Sequence, residues 1–331
     1  MSPTIRMLHP NIRKLSVKTD LNQAADLIDL CFGYQMDRDG HDYLRYVRNV
    51  AAGRKSVRWI DGAHERVSVP LFGYVWCEGS RIVGNVSLSP FQWKKQWYYL
   101  IANVAVHPDY RRKGIAKLLT QQAIYHARFQ GVDSVWLHVK NHNSGAIALY
   151  EQLGFRKIAV RNQWRTMDVL QLKRNQEIAP EVHVIPRLRK DWERHLDWFE
   201  ETYPPDLQWY FGVYRDDIAP GFLRAVERYL LYDQVMHHFS AYAGDELVGV
   251  LTQQPVAHRS HNLFLAVPQG PHEQAATSNL LHFANRMYGV DKVLRVNYPA
   301  GKAIEIFPEC NFSMQNSLIW MEYPNELFKK Q

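Results

Sequence analysis

The stretch Val104-Ala105-Val106-His107-Pro108-Asp109-Tyr110-Arg111-Arg112-Lys113-Gly114-Ile115-Ala116-Lys117-Leu118-Leu119 reads as a strand that passes through a basic turn into a helix. The first N–H groups of a helix have no acceptor within it and carry the positive end of its dipole. Gly114 at that start lets a ligand approach the backbone closely, and Arg111, Arg112 and Lys113 add formal charge, so the stretch suits a pyrophosphate. It lacks the three glycines of the dinucleotide fingerprint and the Gly-Lys-Ser/Thr of the P-loop. Three cations alone more often mark a solvated turn. Their place between a strand and a glycine-opened helix favours the phosphate.

The elements that must hold this turn follow from periodicity. A helix is predicted from Gly114 to Phe129, with Ile115, Leu118, Leu119, Ala123, Ile124 and Ala127 as its apolar stripe and Gly131 ending it. A strand from Ser134 to Val139 and a helix from Ser144 to Leu153, closed by Gly154, come next. Upstream, a strand at Ile12 to Val17 and helices at Asp20 to Cys31 and His41 to Ala51 precede three short strands. These are Phe72 to Cys77, Arg81 to Ser89 and Trp97 to Val106, an antiparallel meander. The fold class is α/β, of the α+β kind with a mixed sheet.

Arg111, Gly114 and Ala116 fit the pattern Arg/Gln-x-x-Gly-x-Gly/Ala. Downstream lies Leu137-His138-Val139-Lys140-Asn141-His142-Asn143-Ser144-Gly145-Ala146-Ile147-Ala148-Leu149-Tyr150-Glu151-Gln152-Leu153-Gly154-Phe155. Together these residues resemble the two cofactor motifs of the GNAT superfamily of N-acetyltransferases, in the right order; the resemblance is clear over residues 100–160 and weaker over 12–172. It implies acetyl-CoA as cosubstrate and a primary amine as acceptor; no metal is expected, since the sequence has no HExxH, zinc-finger or EF-hand spacing. It also implies that Val104, Ala105 and Val106 hydrogen-bond the pantetheine arm, and that the amides of Arg112, Lys113, Gly114, Ile115, Ala116 and Lys117 bind the pyrophosphate beside Arg111. Asn143 would touch the pantetheine and acetyl region, and Tyr150 would protonate the departing thiolate. Position 138 departs from the Glu common in related sequences, so the base is open among His138, Glu78, Asp37 and Asp39. Taken singly, Asn143 would be a helix cap and Tyr150 a core tyrosine.

The chain's 331 residues, 46% hydrophobic and 22% charged, give a globular protein near the size of two domains. No apolar run is long enough for a membrane helix and the first residues lack a secretory h-region, so a soluble, cytoplasmic protein is expected. Cys31, Cys77 and Cys310 are too few and too far apart for a disulfide framework or a CxxC metal site, and each reads as a small hydrophobe. Residues 1–175 hold 26 Lys/Arg against 13 Asp/Glu (+13), and residues 176–331 hold 14 against 20 (−6). The basic excess is not gathered with stacking aromatics, which disfavours nucleic acid.

The polar segment before Pro180 places a boundary at 176/177. Beyond it the pattern recurs: Gly131-Val132-Asp133-Ser134-Val135 as Gly289-Val290-Asp291-Lys292-Val293, and Ala105-Val106 before a proline as Ala266-Val267-Pro268. In ungapped register from Val139 on Val296, Asn143 falls on Ala300, Tyr150 on Phe307 and Phe155 on Phe312. Residues 1–176 are thus expected to be a cofactor-binding, catalytic domain. Residues 177–331 are expected to be a degenerate copy that lacks the cofactor and walls the acceptor site, in a monomer or homodimer. Two other readings stay open, a non-catalytic acyl-CoA sensor and a transferase using aminoacyl-tRNA.

Overall fold

The computed structural model describes residues 5–36, 38–53, 72–93, 95–167, 179–213, 215–221, 235–256, 260–289, 292–324 and 326. In chain order these include β1 (Ile12–Lys14), α1 (Leu21–Phe32), α2 (Arg38–Ala51), β2 (Gly73–Glu78), β3 (Arg81–Trp93), β4 (Gln96–Val106), α3 (Ile115–Phe129), β5 (Ser134–Lys140), α4 (Ser144–Gln152) and β6 (Arg156–Thr166). Strands β7 (Val182–Pro186), β8 (His237–Ala243), β9 (Glu246–Val256), β10 (Ser260–Ala266), β11 (Val293–Pro299) and β12 (Phe312–Pro324) follow, with helices at Trp192–Thr202 and Glu273–Tyr288. The helices and strands predicted in the first half are present, their ends displaced by up to a few residues. Among the described residues no helix is long and apolar enough to cross a membrane.

The described residues form two compact units: one runs up to Ala159 and resumes at Ile319, and the other runs from Val160 to Leu318. The boundary expected at 176/177 lies outside the described residues. In the first unit β1 to β5 lie side by side in chain order, and β12 from Ile319 onward lies beside β5. The β2–β3–β4 pairs are antiparallel and β4–β5 is parallel. Side chains alternate between the two faces of a strand, so the sheet buries two layers. On one face Val86, Leu88, Ile101, Leu137 and Val139 pack against Ile115, Leu119, Ala123 and Ala127 of α3 and Tyr150 of α4, together with Ile319, Met321 and Tyr323. On the other, Val75, Ile82 and Ala105 pack against Leu21, Ala25 and Ile28 of α1 and Leu44 and Val47 of α2.

The second unit orders β7, β8, β9, β10 and β11, with residues Arg161–Arg165 of β6 antiparallel to β11. Its core sets Ala276, Leu280, Leu281 and Ala284 of the helix Glu273–Tyr288 against Leu251, Leu263, Leu265, Leu294 and Val296, with Trp164 from β6. The repeat seen in the sequence has a counterpart in register. In the first unit Tyr98–Ile101 pair in parallel with Ser134–Leu137; in the second Ser260–Leu263 pair in parallel with Val293–Val296. Cys310 is buried as expected, whereas Cys31 and Cys77 are half-buried.

Candidate functional site

The parallel pairing of β4 with β5 stops at Ile101 and Leu137, although β4 continues to Val106 and β5 to Lys140. A bulge explains the separation. Against β3, the register of β4 steps from Ala105 opposite Asn85 to Ala102 opposite Ser87, and Asn103 takes a left-handed φ of 50°. An extra residue on one strand bends it and ends its pairing, and Asn tolerates that backbone better than other non-glycine residues. The result is a wedge whose narrow end lies at Asn103.

Backbone polar groups alternate sides along a strand. The His107 N–H binds the Val83 carbonyl at 2.9 Å, and Ala105 lies opposite Asn85. Ala105 therefore turns its N–H and C=O to β3, while Val104 and Val106 turn theirs to the wedge. Val106 keeps only its N–H free for a ligand, because its carbonyl accepts from Arg111 Nε at 3.1 Å and from the Cys31 thiol at 3.4 Å.

Beyond β4 the chain makes a short turn over Pro108–Tyr110 and enters α3. Arg112 and Gly114 both have left-handed φ values, 63° and 77°. The first helical amide to bond back is that of Leu118, to the Gly114 carbonyl at 3.0 Å. Among the described residues, the amides of Arg112, Lys113, Gly114, Ile115, Ala116 and Lys117 bond no acceptor. Six consecutive free donors at a helix N-terminus make an anion cradle. A Cβ on Gly114 would meet nothing within 4 Å, so glycine serves the backbone conformation here and leaves the space before the amides open. Of the three cations, Arg111 is engaged with β4 and the Lys113 ammonium sits 4.8 Å from the centre of the Tyr110 ring. Arg112 is exposed.

Tyr150 of α4 lies in the core face, 7% exposed, edge-on to Phe155 at 5.9 Å between ring centres. Burial pushes its phenol up to about 12, which keeps it protonated at neutral pH, and its hydroxyl bonds no partner among the described residues. Asn143 caps α4, its side-chain oxygen accepting from the Ala146 amide at 3.2 Å.

His138 stands on the face of β5 opposite Leu137 and Val139, its ring 5.0 Å from that of Trp320. Its side chain is exposed, and desolvation by the surrounding protein pushes its imidazole down to about 4. Glu78 is held at the end of β2 by Trp76 Nε1 at 2.9 Å and Asn11 Nδ2 at 3.1 Å, at the far end of the strands from the wedge apex. Asp37 and the side chain of Asp39 lie outside the described residues.

Four residues missed from the sequence gather at the bulge. Asn85 Nδ2 donates to the Asn103 carbonyl at 2.9 Å and to Ser87 Oγ at 3.2 Å, and Asn103 Nδ2 donates to the Tyr43 hydroxyl at 2.9 Å. An Asn inside the apolar run Ile101-Ala102-Asn103-Val104 was the available signal.

The acetyltransferase (GNAT) family pattern matches residues 39–155, which contain the wedge, the amide cradle and Tyr150. Residues 39–155 belong to the GNAT family. The chain is 43% identical over 67 residues to the [ribosomal protein bS18]-alanine N-acetyltransferase of Escherichia coli, covering 20% of this chain and 45% of that protein. It is 34% identical over 90 residues to GCN5-related N-acetyltransferase 6, chloroplastic, of Arabidopsis thaliana, covering 27% and 31%. The matched segments thus span less than half the length of these relatives. A GCN5-related N-acetyltransferase from Sphaerobacter thermophilus shares the fold with a TM-score of 0.54 at 15% identity, covering 95% of this chain and 96% of that one. The described residues thus form two units of mixed α/β structure, and the fold they share with GNAT neighbours is that of a tandem GNAT-like protein.

Proposed function

We propose that this chain transfers the acetyl group of acetyl-CoA to a primary amine, with a peptide or protein N-terminus as the first acceptor class to test. The observation that carries the reading is the run of six free amides from Arg112 to Lys117 at one end of an open strand edge, with protonated Tyr150 packed beneath the same sheet. The amides would hold the pyrophosphate, and Val104 with the Val106 N–H would hold the pantetheine arm along β4. The thioester, furthest from the pyrophosphate, then falls at the apex beside Asn103. Tyr150 supplies a proton to the leaving thiolate. Positioning supplies most of the rate, since a held amine and thioester react as one molecule.

Asn143 orders the start of α4, and in this reading it would also contact the pantetheine. His138, neutral at pH 7 but a weak base with its pKa near 4, is displaced as first choice for the base. The second unit, which takes up most of residues 177–331, is assigned a structural role without cofactor. A cytoplasmic setting supplies acetyl-CoA. The peptide acceptor is chosen because a bacterial relative is named for acetylating an alanine of a ribosomal protein.

The test is release of CoA thiol from acetyl-CoA with a panel of small amines and alanine-initiated peptides, run on the wild type and on Tyr150→Phe. Amine-dependent release that falls in the variant supports the reading. Tight acetyl-CoA binding with no release from any amine would replace it with that of an acyl-CoA sensor.

A further inference from the structure

We propose that the second unit binds a free α-amino acid in a pocket at the C-terminal end of β10. The site goes beyond the structural role given to that unit above, and it stands or falls separately from acetyl transfer.

Three stretches of the second unit meet at this pocket. Trp198, Glu201 and Thr202 come from the helix Trp192–Thr202, Val267 and Pro268 follow β10, and Lys302 follows β11. They enclose about 250 Å³. At roughly 30 Å³ for each water, that is far more than one buried water needs, and it falls below the roughly 300–1,000 Å³ of sites for drug-sized ligands. An acyl-CoA arm finds no strand edge here. Tyr203, the residue after Thr202, spends its hydroxyl on the N–H and carbonyl of Leu265, the β10 groups that would take a pantetheine. The space suits a small metabolite.

The walls offer both signs of charge. Glu201 brings a carboxylate and Lys302 an ammonium, and among the described residues neither side chain bonds a partner. Opposite charges that share a pocket without pairing are each left for a ligand group of the other sign. Thr202 is 7% exposed; its carbonyl accepts from Arg161 at 2.7 Å, whereas its hydroxyl bonds no partner among the described residues. A buried hydroxyl calls for a partner, and this one can accept from an ammonium or donate to a carboxylate. Trp198 already carries the Arg194 guanidinium 5.9 Å from its ring centre, so with Val267 and Pro268 it serves as an apolar wall rather than as a seat for a cation.

The ligand these groups describe has an ammonium for Glu201, a carboxylate for Lys302 and a small apolar body against Trp198, Val267 and Pro268. An amino acid with an aliphatic side chain carries all three. A phosphate ester would meet the Glu201 carboxylate, and a simple amine would leave Lys302 unpaired.

Isothermal titration calorimetry of the full chain with L-leucine, L-valine and L-alanine tests this. At least one should bind, and the matching amine without the carboxylate and carboxylate without the amine should each bind at least about tenfold more weakly. Glu201→Gln and Lys302→Met should each weaken binding about tenfold, with thermal melting to check that both stay folded. Glu201→Lys leaves two cations in the pocket and should reverse the preference between the two analogues, which a merely structural glutamate would not do. No binding of any of the three amino acids at about 10 mM overturns the proposal. So does binding that persists unweakened in both Glu201→Gln and Lys302→Met, since the amino acid then sits elsewhere, as an acceptor amine in the first unit would. Failure of the wild type to acetylate any amine would end the acetyl-transfer reading and leave these titrations to decide the pocket.

Discussion

The two units lay the same strands in the same register and treat the end of the central strand in opposite ways. In the first, the β4 edge at Val104 faces an open wedge. In the second, the corresponding residue of β10 is Leu265, and the Tyr203 hydroxyl fills that edge, accepting from the Leu265 N–H at 3.0 Å and donating to the Leu265 carbonyl at 3.2 Å. Tyr203 is itself held by Arg161, whose buried guanidinium lies 4.8 Å from its ring and donates to the Thr202 carbonyl and to Asn297. Burial, with no carboxylate partner among the described residues, pushes Arg161 down to about 10.

The turn after β10 carries Gln269 and Gly270 before Pro271 and an acidic Glu273 in place of Arg111 to Lys113, which removes a donor and opposes a phosphate. The aromatic packing survives: Tyr150 meets Phe155 edge-on at 5.9 Å, and Phe307 meets Phe312 edge-on at 5.7 Å. A frame can thus persist while the site goes, because the core asks for a ring and the chemistry asks for a hydroxyl and unspent backbone donors.

The largest test of that contrast is to cut the chain. A fragment of residues 1–176 lacks Ile319, Met321 and Tyr323, all buried in the first core. At roughly 1.5–3 kcal/mol per buried side chain, their loss rivals the whole stability of a domain. Circular dichroism and thermal melting should find the fragment without a cooperative transition.

Next comes Gly114→Val, which strains a φ of 77° with a β-branched residue and crowds the free amides. Calorimetry should give about 100-fold weaker CoA binding, while Gly270→Val in the second unit leaves it unchanged. Tyr150→Phe copies Phe307 and should lower kcat about 100-fold with the melting temperature nearly intact. Tyr203→Phe should cost about 1–3 kcal/mol in denaturant unfolding, since it strips Leu265 of both partners, and should gain no CoA binding.

A last test is common to both units. His126 in the first is pushed down to about 4 by burial, and buried His195 in the second is also lowered well below its ordinary value. A histidine whose pKa falls on folding favours the folded state above its unfolded value of about 6.5, and that contribution is lost as pH drops towards 4. Unfolding titrations should therefore show both units weakening over that acid window, and a first unit that held firm would break the parallel.

Short-range spacing made the α3 and α4 helices, the meander and the glycine turn legible in the sequence, because each is written within about twenty residues. The functional reading of Gly114 and of the amides from Arg112 to Lys117 came from the same stretch. Asn103 was not legible as a bulge, since one polar residue in an apolar strand run has no period. Tyr203 carries no signal in the sequence, and only the pairing of its hydroxyl with Leu265 gives it a meaning. The return of Ile319 to Tyr323 into the first core could not be read at all, for it joins residues more than a hundred positions apart.

That return also sets a clock. A ribosome adds about 5–20 residues each second, and some 160 residues separate Ala159 from Tyr323. The half of the chain made first must therefore wait roughly 10–30 s after its own segment is synthesised before its last strand exists, and during that interval the edge of β5 is open to any passing chain.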